Sequence, residues 1–217
     1  MEHLGPVAVA EFCGIPVTNT VVMSTILSAF VAVMAFVSTR RLQDVPGGLQ
    51  NALETVVEML EGLVVDNMGE RGREYAPFIG ALFLYILLSN WMGSIPGLAA
   101  PTSDINTTAG LAVVVLLANH FYGLKKKGMA YLHHFLEPMP FFLPLNLLEE
   151  ISKPLSLAFR LFGNITGEHI VIAVLGFIVP LIAPVPMLLF GLFTGLIQAL
   201  VFTMLAMVYL TQATGEE

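Results

Sequence analysis

Cysteine and charge are what this sequence has least of. Cys13 is the only cysteine, which excludes an intrachain disulfide and any cysteine-rich metal site. Charged residues make up 12% of the chain, against roughly 25% in ordinary soluble domains. Residues 1–16 contain no lysine or arginine, so the basic start of a secretory signal is missing. The net charge of −7 argues against a nucleic-acid partner. No internal repeat and no low-complexity stretch is visible. What fills the chain instead is apolar sequence, 56% of 217 residues, with a mean hydropathy of +0.82. That length accommodates several membrane spans of about 20 residues each.

The pattern predicts a single all-α membrane domain over 1–217, with five crossing helices and one amphipathic helix at the membrane edge. Residues 1–16, broken by Pro6 and Pro16, read as an external N-terminal strap. The first span, 17–39, is studded with Ser and Thr that bond back to their own helix or to a neighbour, and it stops at Arg40-Arg41. In 47–68, Leu49, Leu53, Val56, Leu60 and Val64 recur at helical spacing, while Glu54, Glu58 and Glu61 share another face. An acidic face is repelled by anionic lipid, so this helix is expected to dock against protein; an ordinary packed helix is the alternative. Residues 76–124 hold the second and third spans. Asn90 and Trp91 lie near one end, Trp91 as an interfacial anchor, and Pro101 to Thr108 supplies turn and N-cap chemistry around Asp104. The third span, from about Thr107 to Tyr122 before Lys125-Lys126-Lys127, reads as short and intolerant of tilt. Residues 144–212 form a long, tilted helical hairpin, with Pro154 as a kink and Pro180, Pro184 and Pro186 marking its turn. His133 and His134 in the connector are adjacent, do not share a helix face and have no partner at ligand spacing, so no metal site is read there.

With the N-terminus outside and the spans alternating, Arg40, Arg41, Arg71, Arg73, Lys125, Lys126, Lys127 and Lys153 all fall on the cytoplasmic side, as does the C-terminus. Arg160 alone breaks the rule. It lies seven residues, about 10 Å of helix rise, deeper than Lys153, and no lysine or arginine follows it. A guanidinium does not neutralise itself at physiological pH, and at the centre of a membrane helix it costs at least about 2.5–3.5 kcal/mol. No acidic residue lies at its depth, so its counter-charge comes from another subunit, a bound anion or water.

Several polar residues flank it. Ser156 and Asn164 lie one turn either side. Gly163 and Gly167, and Gly191 and Gly195 on the returning helix, form small-xxx-small steps, read first as tight hairpin packing and otherwise as clearance for a moving partner or water. Counting from a turn near Val179 puts Gln198 at the depth of Arg160, where it offers one acceptor. Glu168 lies about 80° around the helix from Arg160 and His169 about 180°. Both titrate, and both suit a water-lined pocket open to the outside; a structural Glu–His contact is the alternative. Glu149 and Glu150, ahead of Lys153, either line a second inlet or form a solvated helix end.

The run Ser152-Lys-Pro-Leu-Ser-Leu-Ala-Phe-Arg160-Leu-Phe-Gly-Asn164 resembles the signature of subunit a of F-type ATP synthases. Pro101-Thr-Ser-Asp104-Ile-Asn-Thr-Thr and Leu196-Ile-Gln198-Ala-Leu-Val-Phe resemble that family's other landmarks, in order, from about Leu49 to Thr211. The resemblance implies a non-catalytic, cofactor-free stator subunit in a bacterial plasma (inner) membrane. Its implied partners are the proteolipids of a c-ring, the peripheral-stalk subunit b, the other ATP synthase subunits and the bilayer. It implies that Arg160 meets passing ring carboxylates and separates two half-channels, with Asn164 and Gln198 around it and His169 in the outer channel. One departure stands out: seven residues before Gln198, where the family often has a titratable group, this chain has Gly191, and Glu168 is the carboxylate nearest to replacing it. These residues leave both proton and sodium open as the coupling ion.

Three rivals were weighed. A small secondary transporter holding an anion at a midplane arginine predicts a repeat, and none is visible. An intramembrane enzyme lacks a His-Glu-x-x-His, paired-aspartate or Ser/His set. A structural scaffold leaves Arg160, Glu168 and His169 unexplained.

Overall fold

The computed structural model describes residues 8–12, 15–40, 47–95, 98–128, 131, 143–178 and 184–215. Among them are six α-helices and one two-stranded antiparallel hairpin. Five of the helical stretches are long and apolar enough to cross a membrane: Asn19–Thr39, Glu70–Met92, Ile105–Lys127, Pro144–Phe177 and Val185–Thr214.

The strap reading misses the hairpin. Strands β1 (Ala8–Phe12) and β2 (Ile15–Thr18) pair with Ala8 opposite Thr18 and Phe12 opposite Ile15. Pro16 is tolerated because a two-stranded ladder consists only of edges. Helix α1 (Asn19–Thr39) follows at once. Thr25 and Ser28 donate to the carbonyls four residues back, at 2.9 and 2.8 Å, which is the structural role expected of them. Most of α1 is bare, with Phe30, Val33, Phe36 and Val37 exposed. Two bonds hold its first half to the bundle: Ser24 Oγ to the Tyr85 hydroxyl at 2.6 Å, and Thr20 Oγ1 donating to Asp104 Oδ2 at 2.7 Å.

Helix α2 (Gly48–Met68) docks one stripe, Leu60, Val64 and Met68, into the core and leaves Val57, Glu58 and Met59 outside. Gly69 ends it at φ 72°, a left-handed conformation suited to glycine, and a 3-10 turn over Glu70–Tyr75 leads into α3 (Ala76–Met92). Tyr75, fully buried, packs edge-on against Tyr122 at 4.8 Å. Helix α3 has apolar residues all round and is the most enclosed of the five spans, with Ile79, Phe83, Ile86, Ser89 and Asn90 all buried.

The third span is longer than its apolar stretch suggests. Asp104 begins α4 at Ile105 by accepting from the Asn106 amide at 2.9 Å, and the helix continues through the lysines to Lys127. Its 23 residues rise about 34 Å, enough to cross with some tilt. The lysines do not stop it, because at a helix C-terminus they complement the dipole.

The last two helices are α5 (Leu143–Ile178, 36 residues), continuous through Pro154, and α6 (Pro184–Thr214, 31 residues). At about 54 Å, α5 exceeds the ~30 Å hydrocarbon thickness, so it tilts or extends beyond it. Leu157, Leu161, Ala199, Phe202, Ala206 and Leu210 join α3 and α4 in the common core. The connector carrying His133, His134 and Glu137, and the turn with Pro180, lie outside the described residues.

Asp104 thus joins two helices at once, capping α4 and receiving α1. Asp104→Ala removes both bonds and leaves a buried hydroxyl without its acceptor, so it should destabilise the chain by about 2–4 kcal/mol. Asp104→Asn should cost less. Thermal unfolding in detergent checks this, and unchanged midpoints for Asp104→Ala would contradict it.

Candidate functional site

Arg160 is on the outside of the bundle. It shares an exposed face of α5 with Ser156, Phe159 and Gly163. Among the described residues it makes no ion pair and no hydrogen bond. Gln198 is on α6 but 7% exposed, turned into the core, and its Nε2 has no partner among the described residues. The two therefore match in depth without meeting: counting residues from a turn gives height along a helix, not direction around it. Asn164 is half-buried on the helix that carries the arginine.

The glycines divide into two kinds. A Cβ on Gly163 or Gly167 would meet nothing within 4 Å, so hairpin packing does not explain them. They leave the face beside Arg160 low and open. Gly191 and Gly195 are enclosed instead. A Cβ on Gly191 would collide with Glu168 Oε1, and one on Gly195 would lie 3.1 Å from Asn90 Cβ. The missing side chain on α6 is the space that the Glu168 carboxylate fills from α5.

Glu168 and His169 then diverge. Thr194 Oγ1 lies 3.4 Å from Glu168 Oε2, which keeps the carboxylate against α6. His169 turns to the end of α3, where its Nε2 lies against Gly93. Gly93 is small for that reason: a Cβ there would stand 2.9 Å from His169 Nε2 and 2.8 Å from Ala100 Cβ. Around the two titratable groups runs a set of bonds that patterning did not reveal. Asn90 Nδ2 donates to Gly195 O at 3.0 Å, Thr102 Oγ1 donates to Asn90 Oδ1 at 2.9 Å, and Trp91 Nε1 donates to Leu192 O at 3.0 Å. Trp91 is thus a tie to α6 as well as a partly exposed ring. Asn90 and Thr102 carried one readable signal, as amide and hydroxyl inside the uncharged stretch from Tyr75 to Ser103.

A separate group lies at the lysine end. Lys153 Nζ sits 3.2 Å from Glu149 Oε1 and 3.4 Å from Glu150 Oε2. The two acids differ in setting, since the Glu149 side chain is 66% exposed and that of Glu150 only 16%. Glu149 fits a solvated helix end; Glu150 is tucked against α4.

Polar groups therefore lie toward both ends of α5, with Arg160 between them on an open face and without a counter-ion among the described residues. With five helices long and apolar enough to cross a membrane, that defines a polytopic membrane protein with charged side chains along its spans. The ATP synthase A chain family profile matches residues 21–211. A relative from Moorella thermoacetica, an ATP synthase subunit a, is 40% identical over 211 residues, 97% of each chain. The chain belongs to the ATP synthase A chain family.

The Glu168–Gly191 fit is directly testable. Gly191→Ala should destabilise the chain by about 1–3 kcal/mol, as overpacking does. Adding Glu168→Ala should recover most of that loss, while Gly163→Ala should leave stability nearly unchanged. Thermal unfolding of the three variants checks this; additive losses for Gly191→Ala and Glu168→Ala would contradict the fit.

Proposed function

We propose that this chain is the proton-conducting stator subunit of a rotary ATP synthase. Its N-terminus lies outside, its C-terminus and eight of its nine cations are cytoplasmic, and the membrane is a bacterial plasma membrane. The observation that carries the reading is Arg160, exposed at mid-helix and without a counter-ion among the described residues, beside two glycines with open space above them.

Each part has a physical role. A ring carboxylate arriving at Arg160 is held ionised by the positive charge, because an adjacent cation lowers a carboxyl pKa. Its proton leaves on the cytoplasmic side, by the Glu149/Glu150 end of α5. The carboxylate is reprotonated from the outer side, by the pocket holding Glu168 and His169, and only then enters lipid. The guanidinium between the two regions blocks a direct proton path, as a fixed cation does in any pore. Gly163 and Gly167 give clearance for the passing ring helix. Asn164 on the same helix and Gln198 on the buried side of α6 supply the polar surroundings of Arg160. Each proton crossing yields about 2.3 kcal/mol per 100 mV of potential. The ring proteolipids, subunit b and the rest of the synthase are the partners this role requires.

Glu168 takes the place of a titratable side chain on α6. It reaches across from α5 into the space above Gly191, so the outer pocket keeps an acid beside an imidazole although its α6 position is glycine.

Arg160→Ala should abolish proton-driven ATP synthesis while the complex still assembles. Synthesis at the normal rate in that variant would contradict the proposal. Glu168→Ala and His169→Ala should slow proton flux in reconstituted vesicles, at least one of them strongly; wild-type flux in both would remove the outer-pocket assignment.

A further inference from the structure

The lysine end contains a titratable residue that the role above leaves unused. His120 lies on α4, its Nδ1 2.9 Å from the Leu116 carbonyl. A carbonyl only accepts, so Nδ1 carries the hydrogen and Nε2 is the nitrogen that gains and loses a proton. The same Nδ1 is 3.9 Å from Glu150 Oε1 on α5. Glu149 and Glu150 contribute two negative charges to this cluster and Lys153 one positive. Among the described residues the cluster thus holds two carboxylates, one ammonium and one imidazole.

The other described cations at this end are engaged elsewhere or exposed. Lys126 is engaged by Glu74 at 3.1 Å and lies over the Tyr75 ring, and Lys127 reaches Gln212 O at 3.3 Å. Lys125 is exposed. On α6, Tyr209 lies beneath Lys153 Nζ at 5.7 Å. Tyr131 closes the site from above. It is buried, its ring is edge-on to His120 at 5.9 Å, and Gly123 leaves room for it. Burial, reinforced by Glu150, pushes its phenol up to about 12, so it remains neutral at any physiological pH.

Beside this cluster α4, α5 and α6 close on one another with no room for a water molecule between them. Asn119, next to His120, is 4% exposed, and its Oδ1 has no partner among the described residues. It lines a narrow crevice between α4, α5 and α6 with Lys153, Pro154, Leu157 and Tyr209. Leu157 is less than one helical turn from Arg160.

We propose that His120 and Glu150 form the proton-exchange site at the cytoplasmic mouth, the last protein groups to hold a proton before it reaches bulk water. This rests on the stator reading above. During synthesis the proton lost by the ring carboxylic acid is passed to the pair at the lysine end of α5. It forms an imidazolium at His120 Nε2, offset by the Glu150 carboxylate, and then leaves Nε2 for water. Pumping reverses each transfer.

The test is passive proton flux through the intact synthase in vesicles under a potassium diffusion potential, measured across a range of pH. His120→Asn keeps an N–H donor for the Leu116 carbonyl but does not titrate. It should lower flux by about tenfold or more, modest for a positioned acid–base group because water partly substitutes. Added imidazole should restore flux to His120→Ala. Glu150→Gln should also lower flux, since the imidazolium loses its counter-charge. Wild-type flux in His120→Asn would overturn the proposal. If that variant fails to assemble, wild-type flux in Glu150→Gln overturns it instead. Absence of proton flux in the wild-type synthase would refute the stator reading itself, a different outcome from normal flux in the variants.

Discussion

A guanidinium at mid-helix with nothing among the described residues to offset it is the constraint on which the rest depends. Among the described residues the acids lie toward the two ends of α5 or beyond, and Arg160 stands between them on an open face. A buried ion pair with an acid of the same chain would be cheaper to fold, but it would hold the arginine permanently. Leaving the charge bare costs stability and keeps it available. The core is arranged accordingly: Leu157, Ala158 and Leu161 bury the opposite side of the same helix and fix Arg160's direction.

Small residues shape both sides of that helix. Gly163 and Gly167 leave space that nothing among the described residues fills, whereas Gly191 and Gly93 leave space that Glu168 and His169 fill. Packing alone accounts for the second kind. Polar side chains then lock the receptacles, with Asn90 bound to Gly195 and Thr102, and Trp91 to Leu192. The outer pocket is therefore built from α3, α5, α6 and the 98–104 segment together. A substitution at Asn90 would act on Glu168 and His169 without touching either.

Much of this was legible in the sequence. Apolar length and caps located the five spans, the spacing from Leu49 to Val64 identified the docked helix, and the lone deep arginine stood out as a cation placed mid-helix. What escaped were features that one-dimensional periodicity does not carry. The 8–18 hairpin is too short to show alternation through a proline. Helix α4 extends beyond its apolar stretch because its ends are set by Asp104 and the helix dipole, not by hydropathy. The Gly163/Gly167 and Gly191/Gly195 steps read identically, yet one pair faces open space and the other faces side chains, a difference set by azimuth. His120 was invisible as a site because Glu150 and Tyr131, which frame it, are distant in sequence.

The central claim is that the Arg160 face is covered by a ring of helices that moves past it. Cross-linking across that face tests it most directly. With Cys13 replaced by serine, a cysteine at Gly163 would be the chain's only thiol. It should form a disulfide with a cysteine placed beside the mid-helix carboxylate of the co-purifying proteolipid. The disulfide should stop ATP-driven proton pumping until it is reduced. A Gly163→Cys thiol that never cross-links to the proteolipid in an assembled, active synthase would contradict the account.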